Sequence, residues 1–242
     1  MALGLFGRLS RHADRPQADE DAYSVFHALS SLLGHLTPTG LDAGAAWGMN
    51  DAGGPSFTEE GRDLCGWFQV SPLNEHVVGL PIPSFTDTCA TTLGRFGTLD
   101  VEGYEYYLPT SVAGPAGRQI ANAENWFSFA PPASRTRVVV SLDSGDASAV
   151  VDRRDDVLEQ LSRAAPTEEG LDPRATDETA PEFAEAVPWR WWLGHGPPHT
   201  VTFSVTLTEW TPLGVGRAVS LISEACRAVG MVDHVGVRVA RV

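Results

Sequence analysis

The residues best equipped for chemistry are gathered in one stretch, PWRWWLGHGPPH at 188–199, which holds Trp189, Arg190, Trp191, Trp192, His195 and His199. His195 and His199 stand four apart, the spacing at which two imidazoles on one helical face hold zinc. Pro197 and Pro198 between them forbid that helix. No third ligand is close in sequence, and Glu209 falls at the far end of the segment that follows. A metal site is therefore not expected, and no cofactor is implied. The indoles point to burial instead, because apolar area removed from water contributes about 25 cal/mol per Å². Their first expected use is packing within the chain. Their second is anchorage of a protein partner or another copy, since Trp beside Arg is hot-spot chemistry. These six residues are the expected contact set.

Other reactive arrangements are weaker. No GxSxG elbow and no GxGxxG after a strand occur. All 17 basic residues are arginine, so lysine Schiff-base chemistry and a P-loop lysine are excluded. The acid pairs Glu59-Glu60 and Glu168-Glu169 are sequence neighbours, which seldom converge on one substrate. Around 98–109, Glu102, Tyr104 and Tyr106 share one strand face and Glu105 and Tyr107 the other. Such a wall can serve acid–base catalysis, although tyrosine in strands is ordinarily packing. Cys65, Cys89 and Cys226 lie too far apart for a metal cluster and are expected to be buried thiols. His27 and His35 are ordinary positions of the first helix.

The elements that position these residues follow from hydrophobic period. A helix is predicted over 19–36, where Val25, Phe26, Leu29, Leu32, Leu33 and Leu36 recur at helical spacing. A Gly-rich loop is expected at 41–62, then strands near 64–70 and 76–82. A helix follows over 84–96 with Ser84 as N-cap, and a strand at 98–109. A strand is predicted at 136–142 and a helix near 147–164. Residues 199–209 alternate, with Val201, Phe203, Val205 and Leu207 on one face and threonine and serine on the other. Thr211-Pro212 opens the next helix and Gly230 closes it. The last strand turns Val235, Val237 and Val239 inward and His234, Gly236 and Arg238 outward.

With a short second strand at 189–193, residues 136–242 read strand, helix, strand, strand, helix, strand. The fold class is thus α+β, with antiparallel sheets, helices on one face and a C-terminal ferredoxin-like βαββαβ unit. The strand, helix, strand order at 76–109 echoes 199–241 and suggests a degenerate duplication in the N-terminal half. The expected organisation is a flexible basic leader at 1–18, an N-terminal α+β half at 19–115, a connection at 116–135, and the C-terminal half at 136–242 with an acidic insertion at 165–187.

In such a unit one sheet face stays open unless something packs on it. Arg137 and Ser141, the hydroxyls at 202, 204 and 206, and His234 and Arg238 fall on that face. The second strand adds either Trp189 and Trp191 or Arg190 and Trp192, according to register. A second sheet laid on this face accounts for these residues without a ligand. If the chain is instead an enzyme or binder with a pocket between its two halves, the acid–base candidates are His234, Arg238, Arg137 and Glu209.

A net charge of −14 disfavours nucleic acid. No apolar run of membrane-spanning length occurs, and a cytoplasmic protein is expected. The absence of lysine fits a GC-rich bacterial genome. The leading functional expectation is a non-enzymatic interaction or assembly subunit that contacts a protein partner or itself through the Trp-rich hairpin and open sheet face. The alternative is a small-molecule enzyme or ligand binder of bacterial specialised metabolism.

Overall fold

The computed structural model describes residues 1–13, 21–36, 45–73, 79–110, 134–145, 147–164, 174–175, 181, 183, 187–189, 193, 199–231 and 234–242. In chain order the elements are β1 (Ala2–Arg11), α1 (Ala22–Leu32), β2 (Trp47–Gly53), β3 (Thr58–Pro72), α2 (Ile82–Gly94), β4 (Gly97–Leu108), β5 (Thr136–Asp143), α3 (Ala149–Asp152), α4 (Arg154–Ala164), β6 (Arg174–Ala175), β7 (Thr200–Leu207), α5 (Pro212–Ala228) and β8 (Val235–Arg241). The chain is α+β, as its hydrophobic periods predict.

All strands join one antiparallel sheet of order β2-β3-β1-β4-β8-β5-β7-β6. Residues 1–108 contribute four strands in the order second, third, first, fourth. Residues 136–241 contribute the same order reversed, fourth, first, third, second. β7 and β8 are separated by β5, as the sequence reading requires. The halves meet where β4 pairs with β8, from Gly103 opposite Ala240 to Leu108 opposite Val235.

The longer helices form one layer in the order α1, α2, α5, α4, each touching the next. The main core lies between this layer and one sheet face. Leu3, Leu5, Phe68, Tyr104, Tyr106, Val138, Val140, Phe203, Val205, Val237 and Val239 meet Phe26, Phe85, Cys89, Leu161, Leu221 and Cys226 there. A single core thus spans both halves. All three cysteines are buried thiols outside any disulfide.

Local chemistry sets the helix ends. The Thr211 side chain accepts a hydrogen bond from the Gly214 amide at 3.1 Å, with Pro212 at the first position of α5. Gly230 takes φ 76° just past its end, a left-handed conformation that glycine adopts without strain. The Asp21 carboxylate caps α1 by accepting from the Ser24 amide at 2.7 Å. Ser84 is not the cap of α2. That helix starts after Pro81, and the Ser84 hydroxyl donates back to the Pro81 carbonyl at 3.2 Å.

Four further sequence expectations are revised. Residues 2–11 are not a flexible leader but β1, a buried strand between β3 and β4. Its apolar residues point to both faces, and its glycines admit close neighbours, so it lacks the alternation of a half-exposed strand. The expected loop at 41–62 contains β2 and the start of β3, and residues 79–82 lead into α2 rather than form a strand. Finally, the strand beside β7 is β6 at Arg174–Ala175, inside the expected acidic insertion; of the strand expected at 189–193, residues 190–192 lie outside the described residues. Trp189 is in a turn, and its indole is used for packing across the sheet.

Candidate functional site

The sheet face turned away from the helices carries Ser141, Thr202, Arg238 and Trp189 among the residues singled out from the sequence. Directly paired residues on neighbouring strands project to the same side. Register therefore builds one row across seven strands: Gly53 on β2, Trp67 on β3, Gly4 on β1, Glu105 on β4, Arg238 on β8, Ser141 on β5 and Thr202 on β7. The N-terminal part of the row is apolar and glycine-rich, and the C-terminal part is polar.

The side chains of Phe183, Val187, Trp189 and Leu193 lie over this face. Phe183 stacks on Phe6 with centroids 4.1 Å apart and planes 9° apart. Trp189 meets Trp67 edge to face at 6.1 Å. Phe183, Val187 and Trp189 retain only 8%, 2% and 1% of their exposure. With Ala2, Phe6, Leu64 and Ala240 they form a second core on this side of the sheet.

Strand glycines make the room. A Cβ at Gly103 would lie 2.1 Å from the Phe183 ring, one at Gly4 would lie 2.7 Å from Val187, and one at Gly236 would lie 2.7 Å from Leu193. Among the described residues, the covering layer is thus a set of single side chains from the chain itself, not a second sheet.

Arg238 donates to the Glu105 carboxylate through Nη2 at 2.9 Å and Nε at 3.2 Å. Its guanidinium also lies 5.1 Å from the Phe183 ring centre. Side-chain exposures of 16% and 11% make this a largely desolvated pair. His234 stacks on Tyr107 at 4.9 Å, with its side chain exposed. Arg137 is exposed and pairs in register with Thr206, four residues along β5 from Ser141, or about 13 Å at the usual strand rise. Glu209 stands beyond the end of β7, where its carbonyl packs against Gly214. The four alternative acid–base candidates are therefore spread over the sheet rather than gathered at one point.

Of the contact set, Trp189 is buried against the first half, and His199 precedes β7, where its carbonyl accepts from the Ser144 amide at 3.5 Å. Arg190, Trp191, Trp192 and His195 lie outside the described residues. Sequence reasoning missed Glu105 as the partner of Arg238, and Phe183 and Val187 as anchors. Phe183 and Val187, the two large apolar side chains in 181–187, were the available signal.

A separate cleft of about 420 Å³ opens on the helix side, lined by α2, β4, Trp210 and Pro212. It thus draws on both halves. Trp210 is fixed there by its Nε1 donating to the Val101 carbonyl at 2.8 Å, and its ring meets Tyr104 edge to face at 5.6 Å. Arg241 lies 5.9 Å over the Trp210 ring and 3.6 Å from the Asp100 carboxylate. No histidine, glutamate or cysteine lines this cleft among the described residues. Burial pushes the Tyr104 phenol well up, helped by the nearby Asp87 and Cys89.

A further pair of ionisable groups sits between α1 and α2. The His35 ring is 4.4 Å from Trp47. Burial lowers the His35 pKa while Asp87 pulls it back up, and burial raises Asp87 while His35 opposes. Among the described residues, no three His, Cys, Asp or Glu side chains are grouped as metal ligands, and no helix is long and apolar enough to cross a membrane.

Comparison with protein-family models, with curated proteins and with solved structures returns no match to this chain.

Proposed function

We propose that this chain is a non-enzymatic interaction or assembly subunit, built as a tandem of two ferredoxin-like βαββαβ units sharing one sheet. Its contact surface is the Trp-rich segment at the sheet face. The repeated strand order of the two halves supports the tandem reading. The observation that carries the contact reading is the seating of Trp189 against Trp67 of the first half. That seat holds the base of the segment, and Arg190, Trp191 and Trp192 follow it directly in the chain. Indoles beside an arginine supply apolar area and directional bonds to a protein partner or a second copy. The engagement of Arg238 by Glu105 and the separation of His234, Arg137 and Glu209 favour this reading over acid–base catalysis.

The test pairs two double variants. Trp191→Ala with Trp192→Ala is expected to abolish association seen by native mass spectrometry of protein from its own host, with the thermal melt retained. His234→Ala with Arg238→Ala is expected to leave association intact. Association that survives the tryptophan variant refutes the proposal. A second reading, a small-molecule binder, is favoured by the cleft beside Trp210, which both halves line.

A further inference from the structure

We propose that the cleft beside Trp210 binds a flat, neutral aromatic molecule carrying one hydrogen-bond acceptor, its ring against the indole and its acceptor on the Tyr104 hydroxyl. This inference rests on the small-molecule reading and is independent of the sheet-face contact, since the cleft is on the helix side.

Three observations converge. The volume of about 420 Å³ falls within the range of about 300–1,000 Å³ that small-ligand sites occupy. The wall is built rather than incidental: the Trp210 indole N–H is already used on the Val101 carbonyl, which fixes the ring as an apolar face. Tyr104, only 1% exposed, lines the cleft, and its hydroxyl has no hydrogen-bond partner among the described residues. That hydroxyl is not among the fully buried polar atoms without a partner, so it stays open to a ligand. Its surroundings keep it protonated, and it therefore offers a donor.

The rim selects against net charge. Asp100 and Arg241 stand 3.6 Å apart, so an ionic group entering beside either meets its opposite already in place. The chemistry that remains is an aromatic body for Trp210 and an acceptor for the phenol.

Quinoline, which carries a ring-nitrogen acceptor, and its near-isostere naphthalene, which does not, are suitable probes in equilibrium dialysis with the full chain. Quinoline is expected to saturate one site and to bind about five- to tenfold more tightly than naphthalene, the worth of one net hydrogen bond. Tyr104→Phe is expected to bring the two probes to equal affinity. Thr91→Trp, on an exposed position of α2 at the cleft, is expected to block both probes without altering the thermal melt. No saturable binding of either probe by the wild type overturns the small-molecule reading itself. Binding that does not distinguish the probes, or that Tyr104→Phe leaves unchanged, spares that reading and overturns the ligand class. Binding that survives Thr91→Trp overturns the site.

Discussion

Arg238 illustrates how far a single residue could be read. Its outward orientation follows from alternation with Val237 and Val239, and the structure places it there. Its partner, Glu105, lies 133 positions away and becomes its neighbour only because β4 pairs with β8. No local pattern encodes that pairing. Removing one member of a buried pair leaves the other charge uncompensated. Glu105→Gln is therefore expected to destabilise the chain by about 1–3 kcal/mol, discounted from the fully buried case. Replacing both residues, Glu105→Leu with Arg238→Met, should restore much of the loss. Urea titrations of the four proteins of this cycle check it. His35 gives a second expectation. Its folded pKa lies below the ordinary 6.5, so the folded chain binds fewer protons there than the unfolded chain. Above 6.5 both states are neutral at this site and it contributes nothing. As pH falls through 6.5 toward the lowered value, protonation favours unfolding. The urea midpoint of the wild type should therefore drop more between pH 7 and pH 5 than that of His35→Gln, and equal drops would refute the assignment.

Among the elements, β1 and the segment around Phe183 explain each other. ALGLFGRLSR does not read as a strand by alternation because Leu3 and Leu5 enter one core while Phe6 enters the second. Gly4 leaves space for Val187, and Gly103 on β4 leaves space for Phe183. The sequence marks those glycines only as weak points in strands, and the side chains that need them are more than 75 residues away. By contrast, α5 was legible because its cap, proline and closing glycine are all local. Gly103→Ala is expected to displace Phe183 and cost about 1–3 kcal/mol, the usual range for overpacking. In a Phe183→Ala background the same substitution should cost far less. Hydrogen exchange around Phe183 provides the second readout: protection should fall in Gly103→Ala, and unchanged protection would contradict the contact.

At the scale of the whole molecule, the two halves share a continuous sheet, one main core and a direct α2–α5 contact. Far-ultraviolet and near-ultraviolet circular dichroism should therefore report a single coincident thermal transition. Two separated transitions would show that the halves are independently stable. In the second half, β5, β7, β8 and the helices were legible from their periods and caps, whereas its second strand, expected at 189–193, is β6 at Arg174–Ala175. The first was obscured because its outer strand β2 lies in a glycine-rich stretch and its central strand β1 resembles a charged tail. The matching strand order emerged only with the three-dimensional pairing, which no pattern in either half encodes.

The β4–β8 junction also has a consequence for synthesis. Strand β4 is complete at Leu108, while its neighbour β8 begins at Val235. For the whole interval of translation the Gly103–Leu108 edge of a nascent chain has no covering strand from its own polypeptide. Antiparallel edges of this kind can pair with their own copies on adjacent ribosomes, a route to co-translational dimers and aggregates. Ribosome-stalled chains halted before β8 should accordingly crosslink to one another through cysteines introduced near Tyr107, and release of the full chain should suppress the crosslink. Where polysomes are dense, slow elongation through the second half would be the hazardous step in production of this protein.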